Sequence, residues 1–370
     1  MLYRTNNVAA ALFLIAAVFI LMQSVNVFAA DCDDLNDDEC TLIGAANYSV
    51  RGGGTLVLKN RDRNTRFIQS LDFVRPAGGY FFIGIKNLFF KKGDELSYTM
   101  GINEKGLSCV SSSPPVNINY DFGEKKYKVY HPGRILAEIA SVEEFVEKVL
   151  KTGRLECAMN YIVADSKKMC VVELVSGNAY DYKIIINGVA AQTNHYYFDR
   201  MKKYQGFAVN KSSRKRLERA LELISGKPVF TPEDFMAISA DHGSMRQFDD
   251  ENICRHPDMV YGAKKFDGGT LSSMVLVSKE GRNPAAYISL GQPCVSRWLK
   301  FEISSGGCKI SPLYGCMYSS GIADSLALLK RDVYFHFIFP FAARMNSGEK
   351  SSEQSLPEGI LNNLCIENVK

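Results

Sequence analysis

Residues 39–46 read ECTLIGAA, and Cys40 stands immediately before the strand-like part of this stretch. If the bond between Glu39 and Cys40 is broken, Cys40 carries a thiol and a free α-amine within reach of each other. An α-amine, with a reference pKa of about 7.7–8.0, can take the thiol proton near neutral pH. The same residues are also compatible with a buried cysteine in a first strand, or with half of a disulfide.

The composition of the 370-residue chain is that of a globular protein, with 46% hydrophobic and 23% charged residues. The formal net charge of +4 is mild. The chain has no basic block with interleaved aromatic residues, so we do not expect a nucleic acid as partner.

The first residues have the pattern of a secretory signal. Arg4 precedes the uncharged apolar run Val8–Met22, and Val27-Phe28-Ala29 offers small residues at the cleavage spacing. The run is short for a membrane span, which favours a cleaved signal over an uncleaved anchor. We therefore expect an exported protein, periplasmic or extracellular, with no stable membrane span after the signal is removed. In an oxidising compartment, the eight cysteines other than Cys32 and Cys40 can form up to four disulfides.

Short apolar runs separated by turn residues predict a strand-rich fold beyond Cys40. Gly52-Gly53-Gly54 predicts a hairpin between the first two strands, and Ser141 with Glu144 predicts the start of a helix. Further helices are predicted over 213–224 and from Thr231. Hairpin connections dominate, which favours an α+β fold of antiparallel sheets with segregated helices. The predicted strands cover 41–46, 55–59, 80–85, 96–100, 107–110, 158–164, 170–174, 180–186, 189–192, 270–277, 285–290 and 298–303.

The stretch Lys59-Asn60-Arg61-Asp62 falls at the end of the second predicted strand. A hairpin would place Asp62 near the start of the Cys40 strand, close to a newly made α-amine. A carboxylate there would orient the amine and favour its protonated form. A solvated strand end is the alternative interpretation.

Two more stretches offer groups suited to acyl transfer. Asn194, at the end of a predicted strand, has an amide that can donate to an oxyanion, although turns also favour asparagine. Arg214, at the start of a helix, can anchor a carboxylate or brace the surroundings of the nucleophile. A solvated helix face is the other interpretation of Arg214, because basic neighbours follow it.

Asp241-His242 and Ile253-Cys254-Arg255-His256 bring together metal-ligating residue types, with Asp249 and Asp250 nearby. Their spacing matches no zinc pattern, and the residues around Cys254 have no papain-like signature. We therefore predict no metal and no cofactor.

These landmarks, in order, resemble the N-terminal nucleophile (Ntn) hydrolases. The similarity is to the acyl-CoA:6-aminopenicillanic acid acyltransferase family (peptidase family C45), and to the choloylglycine hydrolases and penicillin V acylases. It covers roughly Cys40 to Cys294 and depends on order and spacing together. The landmarks are Cys40-Thr41, KNRD at 59–62, GINEKGL at 101–107, Thr193-Asn194-His195, Ser213-Arg214, Asp241-His242, ICRH at 253–256 and GQPC at 291–294.

The resemblance implies a four-layer αββα sandwich and self-cleavage between Glu39 and Cys40. Carried over by position, Cys40 is the nucleophile with its own amine as base, and Asp62 holds that amine. Asn194 matches the oxyanion donor, and Arg214 matches an arginine near the nucleophile. The chain departs from the family pattern where Glu39 replaces a glycine before the nucleophile.

A further departure is Ser111-Ser112-Ser113, which stands where relatives often carry asparagine, so the second oxyanion donor is left open. Lys59 stands where the bile-salt hydrolases have arginine, which weakens an assignment of bile salts as the substrates.

We expect a signal peptide over 1–29, an acidic propeptide over 30–39, an Ntn-hydrolase catalytic domain over 40–330 and a packed C-terminal extension over 331–370. The expected activity is hydrolysis of a linear, non-peptide amide in a small-molecule N-acyl amide substrate, through a thioester. An acyltransferase that passes the acyl group to an amine, and a non-catalytic secreted binding module stapled by disulfides, are the alternatives.

Overall fold

The computed structural model describes residues 39–64, 69–87, 98–116, 129–155, 158–176, 179–206, 211–243, 251–256, 268–305 and 307–312. The expected signal peptide, nearly all of the propeptide and the C-terminal extension lie outside these residues. Within them, no helix is long and apolar enough to cross a membrane.

The described residues form sixteen strands and four α-helices. In chain order the strands are β1 (Glu39–Ala46), β2 (Thr55–Asn64), β3 (Gln69–Val74), β4 (Phe82–Asn87), β5 (Tyr98–Asn103), β6 (Ser108–Ser112), β7 (Val129–Tyr130), β8 (Arg154–Leu155), β9 (Met159–Ala164), β10 (Met169–Ser176), β11 (Ala179–Ile185), β12 (Gly188–Gln192), β13 (Gly268–Ser278), β14 (Ala285–Leu290), β15 (Trp298–Ser304) and β16 (Gly307–Pro312). The helices are α1 (Pro132–Glu138), α2 (Val142–Phe145), α3 (Lys211–Ser225) and α4 (Pro232–Ser239). A π-helical turn, Val146–Lys151, continues α2.

Two antiparallel sheets of seven strands contain most of the chain described here. The first has the order β12-β1-β2-β13-β14-β15-β16, and the second has the order β11-β10-β9-β6-β5-β4-β3. The predicted β1–β2 hairpin is confirmed, and the three glycines of its turn all have positive φ, between 73° and 86°. Glycine adopts this conformation without the steric cost that a side chain adds.

The two sheets pack face to face. Successive side chains of a strand point to opposite faces of its sheet, so each sheet directs one set of side chains into the space between the two sheets. Leu42 and Val57 of the first sheet share one buried cluster with Ile83 and Ile162 of the second. At Gly44 the approach is close, since a Cβ there would lie 2.6 Å from Sδ of Met169.

Helices cover both outer faces. Leu58 on the outside of the first sheet packs with Leu217 of α3 and Phe235 of α4. On the outside of the second sheet, Cys109 packs with Ile135 of α1 and Phe145 of α2. The layers are therefore α, β, β, α, which confirms the predicted fold class.

The stretch 59–62 does not lie at a strand end. Strand β2 continues to Asn64 because it lies between β1 and β13, so its backbone groups are paired on both sides. Lys59, Asn60, Arg61 and Asp62 are all buried. A run this polar inside a central strand requires partners for its side chains. One of the partners of Asp62 is Arg216, which also contacts Cys40.

Candidate active site

Cys40 lies at the start of β1 with its side chain 1% exposed. Its backbone N–H donates to Oδ1 of Asn194 at 2.7 Å. This nitrogen would become the α-amine if the chain were cut before Cys40. The structure therefore brings the predicted nucleophile and Asn194 together.

Asn194 reaches Cys40 because β12 pairs with β1, with Leu42 opposite Gln192, and Asn194 follows β12 directly. Its backbone N–H donates to Oγ of Ser213 at 2.9 Å, and its Nδ2 donates to the Ser113 carbonyl at 3.1 Å. The amide is thus oriented with its oxygen toward the Cys40 nitrogen. The carbonyl of Ser113, in the serine stretch singled out above, orients the amide and is an acceptor.

His195 supports the same turn. Its Nδ1 lies 2.8 Å from Oγ of Ser213 and 3.1 Å from Oγ1 of Thr193. Burial, with the nearby charges of Arg214 and Arg216, lowers the pKa of His195 to about 4. The imidazole is therefore neutral at neutral pH and acts here as a hydrogen-bonding group.

The arginine beside Cys40 is Arg216. Its side chain is fully buried, and Nη1 donates to the Cys40 carbonyl at 2.7 Å and to Oγ1 of Thr41 at 3.0 Å. Its Nη2 donates to Oδ1 of Asn194 at 3.1 Å. The guanidinium thus binds the backbone on one side of Cys40 and the asparagine on the other.

The expectation that Arg214 takes this position is corrected. The buried residues of α3 include Ser213, Arg216 and Leu217, whereas Arg214 is exposed. In a helix, residues three or four apart share a face, so Ser213 and Arg216 point at the sheet together. Arg214 lies outside this face.

Asp62 lies opposite Glu39 in the β1–β2 register, so the prediction that it stands near the start of β1 is confirmed. Its Oδ1 accepts from Oγ1 of Thr270 at 2.6 Å, and its Oδ2 lies 3.8 Å from Nη1 of Arg216. Burial raises the pKa of this carboxyl group, and the charges of Arg255 and Arg216 oppose that effect.

The Glu39 side chain occupies the space between two buried arginines. Its Oε2 lies 2.5 Å from Nη1 of Arg255 and 3.2 Å from Nη2 of Arg216. Burial lowers the pKa of Arg255 to about 10, and the attraction of Glu39 opposes this. No role for Arg255 was predicted from the sequence, where it stands within the ICRH landmark at 253–256, between Cys254 and His256.

Those two neighbours belong to a second cluster, which also includes His242 and Cys294. Their ligating atoms all lie within 4.8 Å of one another. Nε2 of His256 lies 3.0 Å from Nε2 of His242, 3.7 Å from Sγ of Cys254 and 3.1 Å from Sγ of Cys294. Both thiols are buried.

The pKa values of the two thiols in this cluster are shifted in opposite directions. A hydrogen bond from Cys254, opposed by burial, lowers the pKa of Cys294, while burial raises the pKa of Cys254. Cys294 was not predicted to belong to this cluster, because it lies far along the chain from the other three residues. Asp249 and Asp250 lie outside the described residues.

No disulfide links any two of the cysteines within the described residues, which are Cys40, Cys109, Cys170, Cys254, Cys294 and Cys308. The bridges expected for an exported protein are therefore not formed among these six.

The arrangement around Cys40 combines a thiol, its own backbone nitrogen, an amide and two guanidinium groups. Such groups can generate a nucleophile and stabilise negative charge in acyl transfer.

Comparison with known families agrees with this chemistry. The model of the family described as acyl-coenzyme A:6-aminopenicillanic acid acyl-transferase matches residues 50–251, more than half of the chain. The match includes Asp62, Asn194 and Arg216 and begins after Cys40.

Solved structures similar to this chain include a mutant of conjugated bile acid hydrolase from Clostridium perfringens. It has 15% identity and a TM-score of 0.45, with 76% of this chain and 99% of that chain covered. A penicillin V acylase from Agrobacterium tumefaciens has 16% identity and a TM-score of 0.46, with 71% of this chain and 86% of that chain covered. None of the curated proteins compared with this chain matches it.

The family model matches more than half of a chain that is folded as an αββα sandwich, and the protein is therefore a member of the acyl-coenzyme A:6-aminopenicillanic acid acyl-transferase family.

Proposed function

We propose that this protein is an exported, self-processed hydrolase of linear amides, with the thiol of Cys40 as its nucleophile. The observation that carries the proposal is the placement of the Cys40 nitrogen, 2.7 Å from the side chain of Asn194 and on a residue whose carbonyl binds Arg216. This contact supports the proposal, because cleavage before Cys40 would turn the same nitrogen into a buried α-amine beside the Asn194 side chain.

Processing would use the intact chain as its own substrate. The thiol of Cys40 attacks the carbonyl carbon of Glu39, the bond from that carbon to the Cys40 nitrogen breaks, and the nitrogen takes the thiol proton. The resulting thioester is then hydrolysed, which releases the Glu39 carboxylate and restores the thiol. Cys40 is left as the first residue.

Turnover would repeat this chemistry on an external amide. The α-amine of Cys40 takes the thiol proton, the thiolate attacks the substrate carbonyl, and the ammonium returns the proton to the departing amine. Water, deprotonated by the same amine, then attacks the thioester and releases the acid. The guanidinium groups of Arg216 and Arg255 disfavour a permanently protonated amine, because like charges repel.

Asn194 and Asp62 would have separate roles. Asn194 accepts from the Cys40 nitrogen through Oδ1, while its Nδ2 carries two N–H bonds, one of which is directed at Ser113. The Nδ2 group is the candidate donor to the oxyanion. Asp62, 3.8 Å from Arg216, would hold that guanidinium and the amine in place.

The test is to trap the acyl-enzyme. Purified mature protein is mixed with a panel of small N-acyl amides, quenched in acid and digested, and the peptide that begins with Cys40 is weighed. An increase by the mass of the acyl group supports the proposal. Turnover of a substrate with the acyl group on another residue, or by direct attack of water, would refute it.

The family match favours one alternative, in which an amine replaces water as acceptor. Export argues for water, because acyl-CoA is scarce outside the cytoplasm. Adding a competing amine to the reaction distinguishes the two, since a transferase yields mainly the new amide and a hydrolase yields mainly the free acid.

A further inference from the structure

The cluster of His242, Cys254, His256 and Cys294 is a second assembly of reactive side chains, separate from the thiol of Cys40. Its residues come from three places: the loop after α4, the segment 251–256, and the turn after β14. Cys254 and Cys294 are buried, and the two histidines are half-buried. None of the steps proposed for Cys40 uses any of them.

The donor atoms of the cluster are two sulfurs and two imidazole nitrogens. Soft thiolates together with imidazoles select zinc over calcium or magnesium, which prefer oxygen ligands. In a tetrahedral zinc site the bond lengths set the distances between ligand atoms, at about 3.3 Å for two nitrogens and about 3.5 Å for nitrogen and sulfur. The corresponding distances here are 3.0 Å between the nitrogens, and 3.1 Å and 3.7 Å from nitrogen to sulfur.

We propose that the protein binds one structural zinc ion through Nε2 of His242, Nε2 of His256, Sγ of Cys254 and Sγ of Cys294. Binding releases the two thiol protons, and the two thiolates balance the charge of Zn²⁺ while both imidazoles are neutral. No electron transfer is involved. With four protein ligands the coordination sphere is closed, which is the pattern of a structural site and leaves no position for a substrate.

The zinc would also fix a residue of the candidate active site. Arg255 lies between the ligands Cys254 and His256. Its backbone N–H donates to Oγ1 of Thr270 at 3.0 Å, and its carbonyl accepts from the backbone N–H of Thr270 at 2.9 Å. Its guanidinium contacts Glu39 at 2.5 Å. Metal bonds on both sides of Arg255 would therefore hold its backbone in place.

The first test measures metal on the intact chain. Protein purified without chelator and with zinc in the medium is analysed by elemental mass spectrometry, and we expect about one zinc per chain. Exchange for Co²⁺ should give the intense visible bands of tetrahedral cobalt and a thiolate-to-cobalt charge-transfer band. This readout needs no variant and no substrate. A weak octahedral spectrum, or less than one tenth of an equivalent of zinc, would overturn the proposal.

The second test compares two buried cysteines. Cys294→Ala should weaken zinc binding by on the order of 10²-fold or more, since even loss of an outer-shell partner costs 10–100-fold. Cys170→Ala, which removes a buried thiol from the core on the far side of the second sheet, should keep the zinc. Equal zinc content in both variants would refute the assignment.

The competing outcome is a disulfide between Cys254 and Cys294, which export to an oxidising compartment would favour. It would appear as a mass lower by two hydrogens, with both thiols resistant to alkylation and no bound metal, and would overturn the proposal. The zinc test is independent of processing at Cys40. Cys40→Ala should hold as much zinc as the wild type, so failure of the proposed catalysis leaves this result unchanged.

Discussion

Nη1 of Arg216 lies 2.7 Å from the main-chain oxygen of Cys40, and this contact joins α3 to the first residue of the candidate mature chain. The guanidinium is fully buried and also reaches Glu39, Thr41 and Asn194. One side chain thus contacts both chain neighbours of Cys40 and the asparagine that accepts from the Cys40 nitrogen.

Arg216→Lys should lower both self-processing and turnover. Lysine keeps the positive charge but lacks the fork that binds several acceptors at once. We expect a loss of about 10²–10³ in kcat, the range seen when a single preorganised donor is removed. Rates of both steps are measured on protein whose folding is first verified by thermal unfolding.

Arg214→Ala is the matched comparison, since Arg214 lies on the same helix but is exposed. It should leave both rates within about a factor of two, because surface substitutions are nearly neutral. A large loss in Arg214→Ala with normal rates in Arg216→Lys would restore the assignment made from the sequence.

Asn194→Asp should separate the two functions of the asparagine. The carboxylate can still accept from the Cys40 nitrogen, now 2.7 Å from Oδ1, but it has no N–H to donate. Turnover should therefore fall by about 10²–10³ in kcat. If steady-state kinetics show an unchanged kcat, Asn194 is not an oxyanion donor.

Glu39→Gln should slow processing and leave the mature enzyme unaffected. The carboxylate pairs with Arg255 and Arg216 in the intact chain, and glutamine removes that charge while keeping the length of the side chain. Because Glu39 departs on cleavage, processed wild-type and variant chains are identical. A time course of chain length, followed by kinetics on processed protein, measures both effects. A lasting change in kcat after processing would mean that Glu39 stays attached.

Glu173 predicts a dependence of stability on pH. It is fully buried, and it accepts from the backbone N–H groups of Tyr197 at 2.7 Å and Phe198 at 2.9 Å. Burial raises its pKa from 4.5 to about 7, against the effect of these bonds. Between these two pH values the folded state holds a proton that the unfolded state has lost, so the free energy of unfolding falls as pH rises.

Glu173→Gln removes this titration. The unfolding free energy of the wild type minus that of the variant should therefore decrease by about 3 kcal/mol across this window and be flat outside it. Denaturant titrations at several pH values measure the difference. Glu302→Gln is the control, because a hydrogen bond from Lys300 lowers the pKa of this exposed carboxyl group, and its difference should rise slightly with pH. A difference for Glu173 that does not vary with pH would contradict the account.

Local patterns predicted much of the fold. The glycine turn, the alternating strands and the capping residues each depend on neighbours a few positions away. The β1–β2 hairpin, six of the seven strands of the second sheet and helices α3 and α4 were found close to their predicted positions, whereas β3 was not predicted. The buried position of residues 59–62 could not be predicted, because it depends on β13, about two hundred positions further along the chain.

The side chains of the site show the same limit. The β1–β2 hairpin predicted the position of Asp62 near the start of β1, and the family resemblance pointed to Asn194 as a site residue. The choice of Arg216 over Arg214 depends on which face of α3 meets the sheet. Because residues 214–216 are all basic, their charge does not show which of them faces the sheet. The cluster around His256 also depends on contacts between distant loops.

Cys40→Ala should abolish both cleavage before residue 40 and amide turnover, because the thiol is the proposed nucleophile in each step. Cys170→Ala, on a buried cysteine in β10, should leave both intact. Retention of either activity in Cys40→Ala would assign that step to another group.

The most direct measurement is the N-terminal sequence and intact mass of the active, purified protein. We expect a chain that begins with Cys40-Thr41-Leu42 and carries a free α-amine. Active protein that begins at Ala30, with Glu39 still joined to Cys40, would contradict it.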